Sequence, residues 1–284
     1  MVNHLPPAVK QLLTLRHPHS YPGPPLASLT HVLRSTFEDA RRKRAETGWL
    51  VLTESCFVVL TCTLLTSNVP TSIGHLYRFS TRTDAADAAS RVSVTEAVKK
   101  AALMRESALK STIFVGVPRV ILSFANLSEA LEDDVKGQLR TESIRTPTPD
   151  TVQSILDRGQ ALWNSIYEPH AVKLYNKLGA YHPDFISFII QSYGAVLSPL
   201  PDPDEQGNLS RALGSVVGIA CLRAEGRVGP QLVSHVFGLL KARAAEELSE
   251  EDRWLASDEG TEWVVRTVDA LLDVVQADRL GAKL

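Results

Sequence analysis

The sequence lacks the short signatures that usually announce chemistry. Its 284 residues contain no C-x-x-C, no G-x-G-x-x-G, no G-x-x-x-x-G-K and no G-x-S-x-G. Without glycine-rich phosphate loops a nucleotide cofactor has no support, and without a nucleophile elbow neither has an α/β-hydrolase. No cofactor is expected. Cysteine is scarce: Cys56, Cys62 and Cys221 are an odd number without paired spacing, which argues against a disulfide framework or a zinc knuckle. Cys56 and Cys62 lie on different faces of one helix, and the cysteines read as buried free thiols in a reducing compartment. His17 and His19 flank Pro18 in a loop-like stretch and read as exposed residues, so no metal site is expected.

An excess of charge of one sign is also missing. Thirty Lys and Arg stand against 32 Asp and Glu, for a formal net charge of -2. A nucleic-acid groove needs clustered cations. The only dense basic run, Arg41 to Arg44, is interleaved with Glu38, Asp39 and Glu46 and reads as a solvated helix face. The longest apolar run, Leu50 to Leu65, carries Glu54 and several Thr and Ser, and it falls short of the roughly 20 residues of a bilayer span. No apolar segment of the secretory-signal kind follows the start.

What is present is helical periodicity. Leu29, Val32, Leu33 and Phe37 follow the 3–4 spacing of an amphipathic helix. "GWLVLTESCFVVLTCTLLTS" is apolar nearly all round and reads as a central helix. Hydrophobic residues make up 44% of the chain, enough for a real core. No stretch alternates with period two between hairpin turns, so the expected fold class is all-α, a compact bundle with mostly short loops. Residues 1–25, rich in proline, read as an extended arm. Residues 141–150, "TESIRTPTPD", are the best internal linker, and divide the chain into helical halves 26–145 and 146–280, before a tail at 281–284.

The halves share a plan. In the first, a helix carrying Arg105-Glu106 runs to Gly116, meets Pro118 and continues as "RVILSF". In the second, a helix beginning at Arg211 runs to Gly229, meets Pro230 and continues as "QLVSHV". Laying Pro118 on Pro230 places Arg119 on Gln231 and Ser123 on His235. The expectation is an internal duplication.

The second hairpin, "SVVGIACLRAEGRVGPQLVSHVFGLLKARAAEEL", resembles the carboxymuconolactone decarboxylase / alkylhydroperoxidase-D-like (AhpD-like) superfamily. The resemblance is carried by Gly218 to Leu222, Pro230, His235, Gly238-Leu239-Leu240 and Glu246-Glu247. "RESALKSTIFVGVPRVILSF" is similar to the matching stretch of duplicated fungal members, and "HPDFISFIIQSYGAVLS" looks like the helix preceding the second copy. The likeness covers roughly residues 93–248; its motifs are moderately specific, with no single invariant signature. It implies two related AhpD-like halves and symmetric assembly, a homodimer or higher homo-oligomer. Peroxidase members carry a C-x-x-C ahead of the histidine, where a thiolate attacks peroxide and a second thiol resolves the product. Here those positions are Val228 and Gln231, so thiol peroxidase chemistry is not expected. Decarboxylase members move protons with a histidine and a glutamate. This chain has Ser215 near the glutamate position of the second copy, and Ser123 at the histidine position of the first. Each copy keeps one member of the pair, and Glu106 and His235 would have to act across the halves.

Two readings therefore stand. In one, a decarboxylase/lyase- or oxidoreductase-like enzyme performs acid–base chemistry on a small organic acid or lactone: His235 and Glu106 are catalytic, while Arg119, Gln231 and Ser234 hold the substrate, arginine being suited to a carboxylate. In the other, the chain is a non-catalytic ligand-binding or assembly protein on the same fold. There His235 is a core or interface histidine hydrogen-bonded to a neighbour, Glu106 pairs with Lys110 one turn on, and Arg119 pairs with Glu106 or a surface acid. Glu225 is a candidate to orient the imidazole and equally a plain turn carboxylate. The terminal Ala282-Lys283-Leu284 resembles the peroxisomal import signal, an address read by the import receptor, and implies a peroxisomal matrix location.

Overall fold

The computed structural model describes residues 4–16, 19–47, 53–245 and 248–281. The regular structure among them is helical: α1 (Pro7–Leu12), α2 (Leu26–Thr47), α3 (Thr53–Thr66), α4 (Thr71–Thr81), α5 (Val94–Val115), α6 (Val117–Ala130), α7 (Asp133–Lys136), α8 (Val152–Tyr167), α9 (Ala171–Tyr181), α10 (Pro183–Ser192), α11 (Arg211–Glu225), α12 (Gly229–Lys241), α13 (Glu250–Leu255) and α14 (Asp258–Gly281). Short 3-10 turns and a π-helical turn at Tyr193–Leu197 complete it. One isolated bridge, Arg82 to Arg91, is the only β pairing among the described residues. The all-α expectation holds. No described helix is long and apolar enough to cross a membrane.

Local chemistry sets many helix ends. Side chains of Ser93, Ser210 and Ser249 accept from backbone N–H groups in the first turns of α5, α11 and α13, satisfying donors that lack an intrahelical partner. Proline occupies the first turn of α6, α10 and α12, where its missing N–H costs nothing. Gly116 and Gly226 end α5 and α11 at φ +82° and +71°, a region most side chains avoid. The sequence reading carried the α11 segment on to Gly229. The helix stops sooner because left-handed Gly226 already turns the chain, and Gly229 instead opens α12. The N-terminal arm also differs: it contains α1, which buries no residue.

The core is built around α3, α5 and α11, which pack on one another, with α14 against α3 and α11. As its composition suggests, α3 is buried from Cys56 to Leu65. Two of its hydroxyls are accommodated locally: Thr63 and Thr66 each donate to the carbonyl four residues back. Hairpin partner α6 packs on α4 and α5, and α12 packs on α8 and α11. Buried residues before and after the non-helical 141–150 linker, from Leu29 to Val275, form one main cluster. A smaller cluster gathers Trp163, Ile166, Ile186, Tyr193 and neighbours from α8, α9, α10 and the π-helical turn.

With Pro118 laid on Pro230, α6 and α12 are buried in the same register. Ser123, Leu127 and Ala130 are buried, as are His235, Leu239 and Ala242; Ile121 and Val233 are both exposed.

The smaller cluster depends on two backbones in close approach. A Cβ at Gly159 of α8 would lie 2.1 Å from the Ile190 carbonyl oxygen, and one at Gly194 would lie 1.8 Å from that of Ile155. Nothing larger than hydrogen fits. Gly194→Ala should therefore destabilise the protein by at least about 2 kcal/mol. Gly179→Ala on α9, where the nearest atom is 3.8 Å away, should be neutral or stabilising by up to about 1 kcal/mol through helix propensity. Urea unfolding of both variants measures the contrast.

Candidate functional site

His235 lies in the middle of α12 and is 3% exposed. Its ring meets Phe114 of α5 edge-on, with centroids 5.1 Å apart and planes at 84°. On the α11 side it sits over Gly218, where a Cβ would fall 2.6 Å from Nδ1. The glycine of the sequence motif makes room for the imidazole. Nδ1 is buried and has no hydrogen-bond partner among the described residues. Burial, aided by the nearby Arg211 guanidinium, pushes the imidazole down to about 4. It is a neutral, packed ring at physiological pH, whereas an efficient general base titrates near the working pH.

Glu106 is elsewhere. It precedes Phe114 on α5 by about 12 Å of helix rise, and Lys110 lies between them. The Glu106 carboxylate pairs with Arg145 from the linker and stands 3.4 Å from the Lys110 ammonium. Lys110 is fully buried and donates to the carbonyls of Val196, Leu197 and Ser198 at 3.0, 2.8 and 2.7 Å. Arg145 also donates to the Ala195 carbonyl. The expected i to i+4 pair thus exists, but as part of a buried ionic cluster that holds the π-helical turn to α5. Burial pushes Lys110 down to about 8 despite Glu106.

The remaining candidates are dispersed. Arg119 donates to the Thr66 carbonyl at 2.8 Å and to Glu225 at 2.6 Å. It clasps the ends of α3 and α11, bringing the turns of the two hairpins side by side. Glu225 is therefore engaged by Arg119 and does not orient His235. Gln231 is exposed on the first turn of α12. Ser234 donates to the Pro230 carbonyl at 3.0 Å and lines a groove between α8, α9 and α12. Ala282, Lys283 and Leu284, with Glu246, Glu247 and His17, lie outside the described residues.

Glu106 lines a cavity of about 500 Å³ with Arg105, Phe124, Lys136 and Arg140. Ser234 lines the groove, of about 400 Å³. Neither space is lined by His235, Arg119 or Gln231. The structure does not bring Glu106, His235 and Arg119 to one pocket, and no proton can pass between the first two without leaving its own cluster.

Two groupings escaped the sequence reading. Cys221, far from any cysteine in sequence, lies beside Cys62, and Ser111 donates to Cys62 Sγ at 3.3 Å. Burial pushes the Cys62 thiol well above its ordinary value. Both sulfurs are fully buried, so a dissolved peroxide has no path to them. The second grouping centres on Arg211. Its guanidinium donates to Ser165 Oγ, Ser215 Oγ and the Gly238 carbonyl at 2.9, 2.5 and 3.1 Å, and it has no carboxylate partner among the described residues. Burial lowers it to about 10. Only a long-range map places Arg211 behind α12, so local spacing carried no signal for it.

His235 titrates at about 4 in the fold and near 6.5 when unfolded. Between those values the unfolded chain binds the extra proton, so stability contributed by the neutral ring is present above pH 6.5 and is lost as pH falls toward 4. The loss is on the order of 3 kcal/mol. Urea melts at pH 7.5 and 4.5 should show this component in the natural chain and not in His235→Gln.

Compared with protein-family models, curated proteins and solved structures, the chain matches none.

Proposed function

We propose that this chain is a divergent, non-catalytic member of the carboxymuconolactone decarboxylase-like superfamily, a ligand-binding protein of the peroxisomal matrix built on two related helical hairpins. One observation carries the reading: the two residues that would share a proton are separated and each is committed to packing. Glu106 is held by Arg145 and Lys110, and His235 is a neutral ring between Phe114 and Gly218. The hairpin relationship is supported by the common burial register of α6 and α12 and by the left-handed glycine ending the helix before each. Assembly into a homodimer or higher homo-oligomer belongs to the same proposal, supported by the exposed apolar side chains Ile121, Phe188 and Val233.

The acid–base alternative makes an opposite forecast. A panel of carboxylated lactones and β-keto acids, followed by carbon dioxide release, should give the same background rate with the natural chain, Glu106→Gln and His235→Gln. Turnover that falls 100-fold or more in either variant defeats the non-catalytic reading.

The peroxisomal part of the proposal rests on Ala282-Lys283-Leu284. A fluorescent protein fused ahead of the chain should co-localise with a matrix marker, and deleting Leu284 should disperse it through the cytosol. Punctate import without Leu284 would show that the tripeptide is not the address.

A further inference from the structure

The groove between α8, α9 and α12 has an unusual combination of lining groups. Its apolar surface comes from Tyr167, Leu174 and Phe237, and its charged rim from Lys173, Lys177 and Lys241. His170 and Ser234 complete the polar groups, and no acid lines it. Neither α9 nor α12 contains an Asp or Glu anywhere along its length. Most surface helices intersperse the two signs of charge, so a concave face with one sign alone stands out on a chain whose net charge is -2.

A second observation, in the wall behind the groove, points the same way. The half-buried Arg211 guanidinium donates to the carbonyl of Gly238, the residue after Phe237, and has no carboxylate partner among the described residues. Its field reaches Lys241. A cation partly withdrawn from water favours an opposite charge nearby, and this one faces only hydroxyls and a carbonyl. Lys241 itself donates to the carbonyls of Ile166 and Glu168, both at 2.7 Å. An ammonium has three donors, so one N–H of Lys241 is left over at the rim. Glu168, just past the end of α8, favours the Lys241 charge but lies outside the lining. The N-terminus of α9, at His170 and Ala171, adds its partial positive charge to the same face.

We propose that this groove binds a small carboxylate with an apolar body, the head group on Lys173, Lys177 and Lys241 and the body on Tyr167, Leu174 and Phe237. The space of about 400 Å³ falls in the roughly 300–1,000 Å³ range of small-molecule sites. Both halves of the ligand are specified by the lining: a bare anion would leave the aromatic surface wet, and a neutral hydrocarbon would leave the cations without a partner. The inference rests on the ligand-binding reading above and names the ligand class.

Isothermal titration calorimetry on the full chain tests it, with octanoate as the probe and acetate and octan-1-ol as its separated halves. Octanoate should bind at least about tenfold more tightly than either. The double variant Lys173→Glu, Lys177→Glu should weaken octanoate about tenfold or more and change octanol by less than about twofold. Both lysines are exposed, and circular dichroism checks that the variant is folded. Phe237→Ser should weaken both octanoate and octanol. Octanoate binding no tighter than octanol, or unchanged in the double lysine variant, overturns the proposal. So does a loss of octanoate binding in His235→Gln with retention in the lysine variant, because the ligand would then sit at the imidazole. His235-dependent turnover with the octanoate pattern as expected would defeat only the non-catalytic reading. Absence of turnover together with a failed octanoate pattern would defeat only the groove.

Discussion

A single ammonium group, that of Lys110, links the two hydrophobic clusters. It leaves water completely to donate to three successive carbonyls at the end of the π-helical turn. Helix ends leave such carbonyls without partners, and buried ones must be satisfied. A charge placed there needs an opposite charge close by, since the desolvation of an unpaired ion costs several kcal/mol. Glu106 supplies that charge, and Arg145 pairs with the same carboxylate while tying down the linker. The same cluster fixes where α8, α9 and α10 stand relative to the main core. Through α8 and α9 it also determines the shape of the groove facing α12. The commitment of Glu106 to this work explains in physical terms why it is not available to a substrate.

The helices were legible because their causes are local. The all-round apolarity of α3, the serine caps, the prolines in first turns and the Glu106–Lys110 pair are all set within a turn or two of chain. The linker at 141–150 was legible for the same reason. What the site looks like was not, because it depends on residues far apart in sequence. Phe114 meets His235 across two helices, Arg119 reaches Glu225, and Cys62 finds Cys221. Glycine and proline punctuation around 226–230 offered two stopping points for α11, and the backbone takes the first because Gly226 is left-handed. The lack of acids on α9 and α12 was visible in the letters. It acquires meaning only once the two helices are known to face a common groove.

Arg211 and His235 stand side by side behind α12, one charged and one neutral. Burial keeps the imidazole neutral, and the neighbouring guanidinium, which does not surrender its proton under ordinary conditions, adds to the effect. The result is a wall that carries one fixed positive charge and a neutral ring. Such a wall resists proton uptake near neutrality, which suits a surface that must present a steady field rather than exchange protons. The tyrosine pair Tyr167 and Tyr193, whose hydroxyls are 3.1 Å apart, extends it without adding negative charge, since burial pushes both phenols up.

The seat of His235 over Gly218 carries a consequence for how the sequence can change. The two residues share one fixed volume, so bulk gained on α11 must be given up on α12. Counting back equally from Gly226 and Gly116, the residue corresponding to Gly218 is Ala108, and the residue corresponding to His235 on α6 is Ser123. The first hairpin has the larger residue on its first helix and the smaller on its second, the reverse of the second hairpin. Positions 218 and 235 are thereby constrained as a pair: a larger side chain at one leaves room only for a smaller one at the other.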